Sequence, residues 1–135
     1  FGSNCSQIMK NRTQIVGKRG EDEACRMLEE MGHTIIERNW RYGHLEIDII
    51  SLEGNRLHIV EVKSLAAPAA AAPEAKVNRS KRQKMVSGAK AYLNSETRKK
   101  LPIDMEVFFD VVSVLFYGPE FEIEYYPQAF IPIYD

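Results

Sequence analysis

The 135-residue chain has few of the residues that build cross-links and soft-metal sites. Cys5 and Cys25 are its only cysteines, and because they make neither a disulfide framework nor a zinc site, they favour a reducing cytoplasmic location. His33, His44 and His58 are scattered without metal-ligand spacing, so we expect surface or packing roles for them and carboxylates as the metal ligands. No apolar run approaches the ~20 residues that span a bilayer, and there is no secretory h-region. We therefore predict no membrane partner.

Positively charged side chains are missing from the last 35 residues of the chain, although the net charge of the whole chain is only −1. Residues 76–100 carry nine Lys or Arg and one acid, whereas residues 101–135 carry seven acids and no Lys or Arg. A local basic segment is typical of phosphate binding, and Lys81, Arg82 and Lys84 are its candidate backbone contacts. A solvated helix face is the commoner origin of such a run, and charge alone favours it.

The composition, 44% hydrophobic and 27% charged, is that of one globular domain, which we assign to residues 10–135. Residues 1–9 are interpreted as a tail or an expression remnant, because their first eight positions show no periodicity. There are no internal repeats and no sign of a second domain.

The helical period is clearest over residues 17–32, where a stripe of apolar side chains ends at Gly32, a typical C-terminal stop. The stripe consists of Ala24, Met27, Leu28 and Met31. Glu21 lies seven residues before Leu28, so it is the helix carboxylate that projects towards a sheet. A glutamate that stabilises the helix dipole is the alternative explanation for it.

The chain is organised around residues 43–63, which predict two strands joined by a tight turn containing Gly54. Period-two alternation places Glu46 and Asp48 on one face of the first strand. It also places Glu61 and Lys63 on one face of the second. If those faces coincide, three carboxylates and one ammonium group meet in an otherwise apolar hairpin, and such a cluster needs a compensating cation or partner.

The remaining pattern predicts a short strand at 34–38 and a loop at 64–79 with a mobile, alanine-rich run at 66–72. A second helix is expected from Ser80, as its N-cap, to about residue 94, with two strands after it at 105–116 and 121–126. The order of elements favours an α/β fold in which two helices cover a mixed, mainly antiparallel sheet.

The hairpin residues suit metal-assisted phosphodiester hydrolysis. Mg²⁺ takes oxygen ligands, commonly one or two carboxylates plus waters and phosphates. Asp48, Glu61 and the main-chain carbonyl of Val62 are the candidate ligands for Mg²⁺ or Mn²⁺, Lys63 would serve the attacking water or the phosphate, and Glu21 would assist. The alternative is a cross-strand ion pair on a solvated face, and the spacing fits both interpretations equally.

Several motifs at matching spacing resemble the YraN-like family of bacterial proteins, which is similar to archaeal Holliday-junction resolvases and the restriction-endonuclease-like, PD-(D/E)xK superfamily. The resemblance covers residues 10–116. The motifs are Gly17-x-x-Gly20-Glu21-x-x-Ala24, Arg38-Asn39-Trp40-Arg41, Glu46-Ile47-Asp48-Ile49-Ile50, Val60-Glu61-Val62-Lys63, Pro73-Glu74 and Phe109-Asp110-Val111-Val112.

The resemblance implies a restriction-endonuclease-like mixed β-sheet of about five strands flanked by two main helices. It implies Glu21 as the acid of the first helix, Asp48 and Glu61 as metal ligands, Lys63 as the catalytic lysine and Glu46 as an auxiliary acid. The chain departs from the usual family pattern at three positions. Leu45 stands where the family usually has Gly, and Leu65 and Phe108 stand where it commonly has Arg.

We therefore expect a Mg²⁺- or Mn²⁺-dependent endonuclease acting on DNA. By analogy with the resolvases, branched DNA is the first substrate to try, and a homodimer is expected because two cuts need two sites. The first alternative is a nucleic-acid-binding module that cleaves poorly or not at all. The second is a protein-interaction domain that uses the acidic, aromatic C-terminal segment.

Overall fold

The computed structural model describes residues 2–67, 77–95 and 104–132, with side chains from Arg12 onward. The elements are α1 (Gly2–Glu30), β1 (Thr34–Tyr42), β2 (Leu45–Glu53), β3 (Arg56–Ala66), α2 (Arg79–Leu93), β4 (Glu106–Tyr117) and β5 (Glu120–Tyr126). None of the helices in these ranges is long and apolar enough to span a bilayer.

The five strands form one sheet in the order β1-β2-β3-β4-β5. Neighbouring strands are antiparallel except β3 and β4, which run parallel because α2 lies between them in the chain. The predicted α/β fold, a mixed sheet of five strands with two helices, is confirmed.

Each face of the sheet has its own apolar core. On one face, Ala24 and Leu28 of α1 pack with Ile49 and Val60, as the stripe of the first helix predicts. On the other face, the buried side chains of α2 pack against Ile47 and its neighbours. Because Ile47 and Ile49 belong to opposite cores, the strict alternation predicted for this strand is broken at the residue between them.

Two helix boundaries differ from the predictions. The first helix begins at Gly2 rather than Gly17, so its backbone includes most of the residues interpreted as a tail. Its end was placed correctly: Gly32 has φ +99°, its N–H donates to the Glu29 carbonyl, and the next N–H donates to Leu28. Met31, predicted to be buried, is 47% exposed because it lies in this turn beyond the helix.

The second helix is capped by Asn78, whose side-chain oxygen accepts the N–H of Lys81 at 2.8 Å. Ser80, the predicted cap, lies inside the helix. Both residue types cap helices well, so the pattern alone favoured the one closer to the periodic stretch.

Two strands are longer than predicted. β1 continues to Tyr42 because a bulge after Ile35 and a positive φ of 51° at Asn39 bend it without ending it. β3 continues to Ala66, into the predicted loop. Most of the alanine-rich run, residues 68–72, lies outside the described residues, so its predicted mobility stays a prediction.

Candidate functional site

Asp48 lies where β2 separates from β3. The paired residues of these strands end at Ile49 and Val60. Beyond that pair, the Asp48 side chain takes the place of a backbone partner, since its Oδ2 accepts the N–H of Val62 at 2.9 Å. The break in alternation at this residue therefore turns its carboxylate towards β3, next to Glu61.

The carboxyl groups of Asp48 and Glu61 are hydrogen-bonded neighbours. Burial, and then the charge of Glu61, raise the pKa of Asp48 to about 7. Burial also raises the pKa of Glu61, although two lysines oppose it. Near neutral pH the pair therefore holds a proton, which a bound cation would displace.

Two lysines act on Glu61. The ammonium group of Lys81, in the first turn of α2, lies 3.3 Å from its Oε2. Lys63, two residues along β3, also favours the ionised form of Glu61. Lys81 is also a predicted contact of backbone phosphates, together with Arg82 and Lys84. The structure places its ammonium group beside Glu61, and Arg82 and Lys84 are exposed on α2, so the phosphate contacts of all three stay a prediction.

Glu21 approaches the same region from α1. Its Oε2 accepts a hydrogen bond of 3.0 Å from the Asn39 side chain, which the positive φ of that residue presents to the helix. Burial raises the pKa of Glu21, and the charges of Asp48 and Glu46 add to this increase. Glu46 itself is exposed and pairs with Arg41 at 3.6 Å, so it lies at the rim.

A cleft of about 420 Å³ lies between α1 and the C-terminal end of β3. Glu21, Asp48 and Val62 line it, together with Ser64 and α1 residues between positions 12 and 17. Glu61 is not part of this lining because its side chain faces α2, where Lys81 meets it. The acidic site therefore lies where the interior strands β2 and β3 diverge, which we call the split edge of the sheet. Asp48 is accessible from the α1 side of the sheet and Glu61 from the α2 side.

A second cleft, of about 470 Å³, lies between α2 and the segment 130–132, and its charged side chains are all basic. Arg79, Arg82 and Lys90 line it, together with Phe130. Arg79 and Lys90 are not among the predicted phosphate contacts, although they share this surface with Arg82. Their spacing from Arg82, three and eight residues, would have revealed a shared helix stripe.

The structure also brings together side chains that were expected to be apart. The rings of His33 and His58 have centroids 4.4 Å apart, and the carboxylate of Glu53 lies beside both. The spacing along the chain showed no sign that these two histidines meet; both are buried, as a packing role allows, and His44 is exposed on a turn. Burial, and then the charge of His58, lower the pKa of His33.

The amino-acid sequence of the chain matches one protein family and many of its members. The model of "Uncharacterised protein family UPF0102" matches residues 20–114. A UPF0102 protein of Bacteroides thetaiotaomicron is 40% identical over 117 residues, which cover 87% of this chain and 93% of the relative. One of Desulforapulum autotrophicum is 38% identical over 122 residues, covering 90% of this chain and 98% of the relative.

Proposed function

The chain belongs to the uncharacterised protein family UPF0102, and we propose that it is a metal-dependent endonuclease that hydrolyses phosphodiester bonds in DNA. This family is the YraN-like family that the motifs resemble. The observation that carries the proposal is the buried pair of Asp48 and Glu61, held at the split edge of the sheet. The choice of DNA as the substrate rests on the resemblance of the sequence motifs to those of resolvases.

The donor set fits a hard divalent cation. Two carboxylates that are buried together and retain a proton are unfavourable unless positive charge compensates them. The N–H and the C=O of a strand residue point to the same edge, so the Val62 carbonyl faces the side on which its N–H meets Asp48. Asp48, Glu61 and this carbonyl would hold Mg²⁺ or Mn²⁺, which supplies Lewis-acid stabilisation of charge on an attacked phosphate.

The other residues of the site have separate tasks in the proposal. Lys63 shares the α2-facing side of β3 with Glu61, so its ammonium group would neutralise charge that develops on the phosphate. Glu21, whose pKa is raised by burial, would accept or hold a proton of a water on the α1 side. Glu46 at the rim would act only through the field it adds to Glu21.

DNA would approach through the cations of α2. Arg82 and Lys84 are exposed, and Arg82 shares the basic cleft with Arg79 and Lys90. Contacts to backbone phosphates give affinity that falls with salt and depends little on sequence. In this proposal Lys81 serves the acidic site, and a homodimer would present two such sites to a branched substrate.

The test is cleavage of a four-way junction, a flap, a duplex and a single strand with Mg²⁺ and with Mn²⁺. We expect metal-dependent cutting that Asp48→Ala and Lys63→Ala abolish. Asp104→Ala, which changes an exposed aspartate outside the site, is the matched control and should cut normally. Light scattering of the free and DNA-bound protein tests the homodimer. If the wild type cuts no substrate in either metal, the endonuclease proposal fails.

The basic cleft favours a second candidate, a nucleic-acid-binding module that does not cleave. The cleft lies on α2 and contains none of the acidic residues, so it can bind phosphates without them. Salt-sensitive binding that Arg82→Ala weakens, with no cutting, would support this candidate. A protein-interaction domain is the remaining alternative, and the lack of any salt-sensitive DNA affinity would favour it.

A further inference from the structure

His33, Glu53 and His58 form a cluster on the α1 side of the sheet, which we call the histidine cluster. His33 follows the end of α1, Glu53 ends β2, and His58 is the third residue of β3. The side chains of the two histidines are only 2% and 7% exposed, and that of Glu53 is 38% exposed. The cluster is therefore closed on its protein side and open to solvent at the β2–β3 turn.

The geometry of the cluster matches a metal centre. One ligand atom from each of the three residues lies within 4.8 Å of the other two. Nε2 of His58 is 3.4 Å from one carboxylate oxygen of Glu53, and Nε2 of His33 is 4.0 Å from the other. In a tetrahedral site with Zn–N and Zn–O bonds of about 2.0–2.1 Å, ligand atoms are about 3.3 Å apart, so small movements suffice.

The outer nitrogens of both rings are already oriented. Nδ1 of His58 is 2.6 Å from Oδ2 of Asp110, a fully buried carboxylate, and Nδ1 of His33 is 2.9 Å from the hydroxyl of Ser51. A carboxylate on the far nitrogen of a ligand histidine fixes its tautomer and leaves Nε2 as the metal-binding atom.

Among the described residues, three buried side-chain atoms have no hydrogen-bond partner: Nε2 of His58 and the hydroxyl oxygens of Ser64 and Ser113. Nε2 of His58 is inaccessible to solvent and makes no hydrogen bond, although it points at the Glu53 carboxylate. An unsatisfied polar atom on a buried side chain costs free energy, and most such atoms in folded proteins have partners. A cation between Nε2 and the carboxylate would satisfy both groups.

We propose that His33, Glu53 and His58 bind a zinc ion. Two imidazole nitrogens and one carboxylate oxygen are ligands that suit Zn²⁺ better than Mg²⁺. The solvent side of Glu53 leaves the fourth position to a water. The ion would join the end of α1 to the β2–β3 hairpin and so stabilise the contact between them. Arg56, 3.9 Å from the Glu53 carboxylate, competes for it and would turn away on binding.

This zinc site is separate from the proposed Mg²⁺ site. His58 and Glu61 are three residues apart on β3, so they are about 10 Å apart along the strand and face opposite sides of the sheet. The two sites also differ in chemistry, nitrogen-rich in one case and all-oxygen in the other. The zinc proposal can therefore hold or fail whatever the protein does to DNA.

The test is titration of the chelator-treated 135-residue chain with Zn²⁺ by calorimetry, and with Co²⁺ by visible absorption. We expect one ion per chain, a higher melting temperature with Zn²⁺, and the intense bands of tetrahedral Co²⁺. His33→Gln, His58→Gln and Glu53→Gln should each weaken binding by about tenfold or more. Glu53→Gln is the most conservative of these variants, because that side chain is partly exposed and the change keeps its size.

Two controls make the outcome specific. His44→Gln removes the exposed histidine and should bind zinc normally. Asp48→Asn removes one carboxylate of the acidic pair and should also keep one tight zinc ion. The proposal is overturned if the wild type binds no stoichiometric zinc, or if binding is lost with Asp48→Asn but kept by all three ligand variants.

Discussion

The ammonium group of Lys81 lies 3.3 Å from Oε2 of Glu61, which ties the first turn of α2 to the acidic pair. Asn78 fixes that turn, because its side chain accepts the Lys81 N–H. The helix that carries the basic cleft is therefore connected through one residue to the proposed catalytic centre. Phosphate binding on α2 and the charge state of the acids are expected to influence each other.

Lys81→Met should change the pH dependence of the site, while Lys84→Met should not. The charge of Lys81 lowers the pKa of Glu61, so its removal lets the pair keep its proton to higher pH. The pH profile of metal-dependent cleavage should move to higher pH. A carboxyl NMR titration gives the same information without activity. Equal profiles for the two variants would show that the 3.3 Å contact has no electrostatic effect.

Gly20→Ala should destabilise the protein by about 1–3 kcal/mol, because α1 packs too closely on β3 for a methyl group. A Cβ at this position would lie 1.8 Å from the hydroxyl oxygen of Ser64. Gly17→Ala is the matched control, since its Cβ meets nothing within 4 Å and should stabilise α1 by up to about 1 kcal/mol. Urea unfolding measures both.

The double variant Gly20→Ala/Ser64→Gly tests the cause of that effect. Removing the Ser64 side chain takes away the atoms that the new methyl group meets, so part of the lost stability should return. If the double variant is only as stable as the sum of the two single changes predicts, the clash is not the reason for the glycine.

The sequence predicted local patterns well and long-range contacts poorly. The stripe of α1, the Gly32 stop and the acidic motifs follow from neighbours in the chain, because helix and strand periods are local properties. The meeting of His33 with His58 depends on the register between β2 and β3, in which Ser51 opposes His58. The Lys81 contact depends on where the crossover helix lands, which the residues of 64–79 do not specify.

Tyr125→Phe should destabilise the protein by about 1–3 kcal/mol, because it removes a hydrogen bond to a buried carboxyl group. The Tyr125 hydroxyl donates to Oδ2 of Asp110 at 2.5 Å, and this carboxylate also accepts the Gln128 N–H. Burial and this hydrogen bond raise the pKa of Tyr125. Tyr117→Phe, at an exposed position, should change the unfolding midpoint little. Equal effects of the two variants would contradict the argument.

The acidic pair should make the metal-free protein less stable as the pH rises. The pKa of Asp48 is about 7 in the folded chain, against an ordinary value of 3.8, so the folded state holds the proton more tightly. The stability due to this group is fully present below about 3.8 and is lost as the pH rises towards about 7. Asp48→Asn should therefore be about 1–3 kcal/mol more stable than the wild type at pH 8 in chelator.

Mg²⁺ should act in the opposite direction, since it favours the ionised carboxylates. We expect it to raise the melting temperature of the wild type more at pH 8 than at pH 5, and to leave Asp48→Asn nearly unchanged. Glu61 and Glu21, whose pKa values are also raised, should leave that variant a shallower pH dependence of its own. Asp104→Asn should follow the wild type. Parallel pH profiles for Asp48→Asn and the wild type would mean that Asp48 is ionised without a metal, and the strongest argument for a cation site would be lost.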